Sequence, residues 1–194
     1  MATITLPSGF SPRSCQLRLA TTARTHASPY GGSEQAVDLL NDRWLLSLEL
    51  PPRAGYDAAA GIEAFLAALR GPVNTCNLWH FARPTVRGTL ASATTFGAAS
   101  QGASSVTLTG TGTLKAGDML GIGGLLLQVA ADVSISGSGA VSLVNRLRSA
   151  ISGGSAVTFT RPTAAFRCVT PGVGVTYRPR ASEPVALEFA EVPA

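Results

Sequence analysis

Hydrophobic and polar positions alternate in three stretches of the chain, and in one other they follow the helical repeat. From Ser14, residues Cys15, Leu17 and Leu19 fall on one side while Gln16, Arg18 and Ala20 fall on the other. That is the period of a strand with one buried face. Trp44, Leu46, Leu48 and Leu50 repeat the pattern, with Leu45, Ser47 and Glu49 between them, and Pro51-Pro52 ends the strand because proline cannot donate to a ladder. A third alternating run, VALEFAEV, closes the chain at Val185 to Val192. Between these, Ile62, Phe65, Leu66 and Leu69 stand at i, i+3, i+4 and i+7 and predict one helix with a single apolar stripe. Asp57 is its candidate N-cap, Gly71 its stop, and Pro72 forbids continuation.

Shorter extended pieces fill the rest. Thr3 to Leu6, Cys76 to Phe81, Phe166 to Val169 and Gly174 to Arg178 read as strands, and Ser28 to Ser33 (SPYGGS) reads as a loop. Residues Thr89 to Gly112 carry no charge at all; Ala91 to Ser104 reads as a linker and Ser105 to Thr109 as a strand. Met119 to Ile122 and Leu125 to Val129 read as a hairpin turning at Gly123-Gly124. Gly137-Ser138-Gly139 marks a further turn before Ala140 to Val144, and Val157 to Thr160 closes the set. Five short strands in this span predict a small all-β, barrel-like module. A clean strand at the C-terminal end usually pairs inside a sheet. We expect it to pair with the N-terminal strands, so that residues 1–90 and 164–194 form one parent domain and residues 91–163 an inserted β module with a flexible start.

Composition narrows the classes. The chain has 194 residues, enough for a core without staples, yet only 13% are charged, against a typical value of about 25%. So much uncharged Ala, Gly, Ser and Thr suits burial against neighbours. A genome rich in G and C offers a second source for it, consistent with one lysine beside fourteen arginines. The net charge of +4 does not point to nucleic acid, because the arginines are spread singly rather than gathered into a stripe. Cys15, Cys76 and Cys168 have neither a disulfide-framework nor a zinc-ligand spacing. MATITLPSGF has no charged n-region or apolar h-region and is not read as a signal peptide. No apolar run reaches the roughly 18 residues of a membrane span, so no membrane insertion is expected.

Candidate chemistry is sparse. His26 and His80 are the only histidines and lie in no metal-ligand motif; Cys76 with His80, four apart on a strand, would be about 13 Å apart. Gly121 to Gly124 opens no helix and so lacks the context of a nucleotide loop. Asp118 reads as a turn residue, and Asp132 as a bend cap or a partner of Arg146 or Arg148. Trp44 and Trp79 read as core rather than as a sugar-stacking platform. We therefore expect no catalytic, cofactor-binding or metal-binding residues, no cofactor and no enzymatic activity.

The order of short motifs carries more. RW-x-L-x-x-x-LPP begins at Arg43, a helix ends AFL-x-x-LRG at Gly71, and Arg87-Gly88 follows. Then come L-x-AGD-x-x-x-IG at Leu114 to Gly123, V-x-x-D with G-x-G at Val129 to Gly139, RLR at Arg146 to Arg148, and V-x-x-x-RP-x-x-x-FR at Val157 to Arg167. This ordered set resembles the distal tail proteins at the tail tip of long-tailed bacteriophages, and it departs from their pattern at Cys76 to Trp79. The resemblance implies a mainly β, tail-tube-like β-sandwich flanked by one helix, with an added barrel-like β module. It implies a structural subunit forming a ring, commonly a hexamer, that joins the tail tube to the distal tip or baseplate. The implied partners are other copies of the chain, the tail tube protein and the tail hub proteins, with DNA only as passing cargo. The implied place is the virion tail, assembled in the host bacterial cytoplasm. A carbohydrate- or receptor-binding module of the virion is the alternative, and a tail-borne hydrolase a further one.

Overall fold

The structure is a computed structural model that describes residues 1–39, 41–170 and 172–192. Leu40, Pro171, Pro193 and Ala194 lie outside the described residues, the last two at the end of the expected parent domain. The chain is mainly β, 45% strand and 7% helical, with one helix. In order the elements are β1 (Ser14–Ala20), β2 (Ala23–Ala27), β3 (Glu34–Asp38), β4 (Arg43–Leu50), α1 (Tyr56–Leu69), β5 (Thr75–Leu78), β6 (Thr94–Thr95), β7 (Ser105–Leu114), β8 (Met119–Ile122), β9 (Leu125–Gln128), β10 (Val133–Ser142), β11 (Val157–Thr158), β12 (Ala164–Cys168), β13 (Tyr177–Arg178), β14 (Ala181–Ser182) and β15 (Val185–Glu191).

Five antiparallel strands make the largest sheet, in the order β1-β4-β15-β12-β5. The C-terminal strand thus sits at its centre, between β4 and β12. Register explains the alternation in the sequence. Leu48 faces Cys15 on one side and Leu187 on the other, and Leu46 faces Leu17 and Phe189. All of these point to the face covered by α1, whose Ile62, Phe65, Leu66 and Leu69 are buried in the same cluster. The helix begins at Gly55 with no side-chain cap; Asp57, the expected cap, lies in the first turn, where its charge still complements the helix dipole. Its end falls where expected: Arg70 takes the cap position and Gly71 follows it with positive φ, and Asn74 Nδ2 closes the last turn by donating to the Ala68 carbonyl. Thr3 to Leu6 is not a strand; only Thr3 bridges Thr75, in parallel, at the edge of β5.

A second cluster of buried residues lies between β5 and β12 in sequence. Its strands form two ladders, β10-β7-β6 and β11-β8-β9. The bridges Thr94 to Ala156 and Val129 to Leu143 join the ladders at both edges and close a small barrel. The segment expected as a linker, Ala91 to Ser104, is part of this barrel. It contributes β6, and Ala93 and Thr95 are buried. The turn expected at Gly137 to Gly139 is also absent, because β10 runs through it in unbroken register with β7, Gly137 opposite Gly110. On the partner strand, Gly110 and Gly112 serve close approach. Cβ atoms on Gly110 and Gly112 would lie within 3 Å of the backbone of Ser92 and Leu90, which crosses over β7.

Hairpin β8–β9 turns at Gly123-Gly124 as expected, both with positive φ, as a two-residue type I′ turn requires. Its apolar run does not alternate because both faces are covered. Leu120, Ile122, Leu125 and Leu127 fill the barrel, while Met119 and Leu126 join the cluster under the five-stranded sheet.

Candidate functional site

The seam between the barrel and the five-stranded sheet is built from polar groups as well as apolar ones. Trp44 is buried on β4, and its indole Nε1 donates to the Leu126 carbonyl at 2.8 Å. Asn145 Nδ2 donates to that same carbonyl at 3.0 Å, and Asn145 Oδ1 accepts from the Gln128 amide. Glu191, only 2% exposed at the end of β15, accepts the Trp44 amide at 2.9 Å and pairs with Arg148 at 2.5 Å. Burial pushes the Glu191 carboxyl above its ordinary value, against the pull of the Trp44 amide and Arg148. The pair spans from strand to barrel, so the ion pair and its neighbours fix how the two parts meet.

A second knot lies at the turn before β8. The side chain of Asp118 is 2% exposed and accepts from the amides of Lys115, Arg87 and Gly88 and from Arg87 Nε. Burial pushes its carboxyl up, but these hydrogen bonds together hold it below the usual value. Asp118 is thus a turn residue and also the anchor of the incoming chain. Asp132 meets neither Arg146 nor Arg148; it accepts from Lys115 Nζ and the Ala116 amide, both nearer in the fold. Arg146 instead pairs with Asp38 and Arg148 with Glu191.

The other residues weighed from sequence fall apart chemically. Burial raises the Cys76 thiol to about 12, with Cys168 adding to the effect, the reverse of what a nucleophile needs. His80 lies beyond the end of β5 and is buried; burial, then Arg83, lowers its pKa. Both imidazole nitrogens face Arg83, at 3.2 Å from its amide and 3.4 Å from its Nε. A neutral ring has one acceptor nitrogen, so it takes one of these bonds at a time. His26 is exposed on β2. Trp79 is half-buried beside Phe81, with the Arg161 guanidinium 5.4 Å from its ring. Among the described residues, no group of three or more His, Cys, Asp or Glu is placed to hold a metal, and no helix is long and apolar enough to cross a membrane.

Two surfaces stand out that the sequence reading did not single out. The first is an arm. Beyond the paired ends of β1 and β4, strands β2 and β3 continue as a hairpin, Ala23 opposite Asp38 and Ala27 opposite Glu34. Every described residue from 21 to 39 is exposed, Tyr30 completely. The second is the face of the five-stranded sheet opposite α1. It bears Ser14, Gln16, Ser47, Glu49, Ala186 and Glu188, and holds a shallow depression of ≈ 330 Å³. Arg13 pairs with Glu49 at its rim. Both surfaces suit contact with protein: the arm offers free backbone edges, and the sheet face sets small side chains such as Ser14, Ser47 and Ala186 among the carboxylates of Glu49 and Glu188.

No protein-family model matches the chain, and no curated protein matches it.

Proposed function

We propose that the chain is a structural subunit that assembles with copies of itself into a ring, and that the ring joins a phage tail tube to the distal tip. The observation that carries this reading is the arm. A two-stranded hairpin with no buried face is marginal in water by itself. All of its residues from 21 to 39 are exposed in the single chain, so a stable arm needs a neighbour to cover it. Identical subunits supply one when a head-to-tail contact repeats until a ring closes. The low charge of the chain as a whole and the shallow depression on the open sheet face favour the same use. The ordered motifs from Arg43 to Arg167 add the resemblance to distal tail proteins, and with it the tail tube and hub proteins as neighbours and DNA as passing cargo. Electron microscopy of phage particles carrying a gold label on this chain tests the reading. Label in a ring at the end of the tail tube is the expected result; label on fibres or its absence from particles contradicts it.

One observation favours a second reading, a carbohydrate-binding module. Phe96 is 64% exposed on the barrel, beside a groove of ≈ 250 Å³ lined by Thr95, Ser100, Ser105 and Thr107. An aromatic ring with hydroxyls and no charge suits a neutral glycan. Binding to a glycan array that is lost in Phe96→Ala would support that role.

A further inference from the structure

One face of the arm and the depression on the open sheet face carry opposite charge, and they lie at opposite ends of the chain. Register fixes the two faces of the arm. Arg24 stands opposite Val37 and His26 opposite Gln35, so these four share one face, while Glu34, Ala36 and Asp38 lie on the other. The first face thus bears the arm's basic residues and a valine that is 39% exposed. The depression of ≈ 330 Å³ bears two carboxylates, Glu49 and Glu188. Glu49 pairs with Arg13, while the exposed Glu188 side chain has no partner among the described residues, and neither has that of Arg24. The depression is left with one negative charge in excess. Spacing agrees as well as sign. Ala186 stands opposite Glu49 and Ser47 opposite Glu188, which sets the two carboxylates on a diagonal of the ladder, roughly 7–8 Å apart. Arg24 and His26, two apart on one strand, stand about 7 Å apart.

We propose that the basic face of the arm docks in the acidic depression of a second copy of the chain. This docking rests on the self-assembly reading and names what covers the arm. An arm does not reach the depression of its own chain. It leaves the sheet where Ala20 faces Arg43, whereas the depression surrounds the pairs at the other end, Ser14 with Glu49 and Gln16 with Ser47. Ser14 and Ala20 stand about 20 Å apart along β1. The base of the arm is also tied to the barrel, Asp38 to Arg146. Complementary surfaces at opposite ends of one chain make the contact head-to-tail, as a ring requires. The reach suffices, because the arm runs about 25 Å from Thr22 to its tip at Tyr30 and five strands span about 20 Å. Once docked, Arg24 meets the free carboxylate of Glu188, His26 lies toward Glu49, and Val37 leaves water for the depression. Charge selects the face. Turned over, the arm would lay Glu34 and Asp38 against Glu49 and Glu188.

Charge reversal tests the contact. Sedimentation velocity of the full chain over a dilution series gives the concentration at which half of it is assembled. Glu188→Arg should raise that concentration by about tenfold or more, and so should Arg24→Glu, because each sets like charges face to face. Both side chains are exposed, so each variant should fold as the native chain does, which circular dichroism and the urea midpoint check. Arg24→Glu and Glu188→Arg together restore the pair in reverse and should return assembly close to the native concentration. Glu34→Arg, on the other face of the arm, should leave it nearly unchanged. Rings indifferent to both single variants, a double variant no better than the single ones, or an equal loss in Glu34→Arg would overturn the docking and leave the ring reading standing. A native chain that stays monomeric at every concentration would overturn both.

Discussion

Gly88 shows how tightly single residues constrain this fold. A Cβ there would sit 1.9 Å from the Thr113 carbonyl oxygen and 2.6 Å from its carbon. Both atoms belong to backbone, so nothing flexible can yield. Gly88→Ala is expected to destabilise the chain by about 3 kcal/mol, the upper end for overpacking. Gly61 is the contrast: it is exposed in the middle of α1, with nothing within 4 Å of its added Cβ. Gly61→Ala should stabilise by about 0.5–1 kcal/mol through helix propensity and a less disordered unfolded chain. Urea midpoints of the two variants should therefore move in opposite directions. Asp118 is the second residue of this kind. Asp118→Ala would leave buried donors without an acceptor, at a cost of about 2–3 kcal/mol. Its carboxyl titrates below the ordinary 3.8, so its stabilisation is present above that value and is lost as pH falls through the lower folded one. Acid unfolding should accordingly steepen below about pH 4 in the native chain and flatten in Asp118→Asn.

Among the elements, the arm is the most separable. Leu39 donates to the Thr22 carbonyl at its base, so an Asn-Gly turn can replace everything between these two residues. That variant should fold with stability within about 1 kcal/mol of the native chain, because no removed residue is buried and the ion pair across its base, Asp38 with Arg146, is solvent-exposed. Assembly should be lost, which sedimentation velocity would reveal. The same exposure explains why the arm was not legible in the sequence. Period-two alternation records a face turned to a core, and ARTHA and EQAVD have no such face. Where a face is buried, as in β4, β15 and α1, the pattern was plain. The barrel was only half legible. Its hairpin at Gly123-Gly124 announced itself, but the glycines at 137 and 139 suggested a turn when they lie inside a continuously paired strand. Its uncharged first segment suggested a linker because small residues, which let backbones cross closely, look the same in sequence as those of a flexible chain. The Asp118 knot was invisible for a different reason, since it joins residues about thirty positions apart.

At the scale of the whole molecule, the Arg148–Glu191 pair decides how barrel and sheet are joined. Arg148→Met would leave a carboxylate buried without its cation, which costs about 3–5 kcal/mol. Adding Glu191→Gln should restore much of this, because the amide oxygen still accepts the Trp44 amide while the charge is gone. Glu191 titrates above its ordinary 4.5, so it favours the folded state below that value and disfavours it as pH rises through the higher folded one. The deficit of Arg148→Met should therefore shrink on acidification, as a pH series of urea unfolding curves would show. Among the described residues the molecule has two cores, joined at a seam, and two uncovered surfaces, and self-assembly is the use we assign to those surfaces. Native mass spectrometry of the purified full chain tests this most directly. A single discrete mass corresponding to a closed ring of identical copies, absent when the arm is shortened, is the expected result; one free chain at every concentration, with or without the arm, would contradict it.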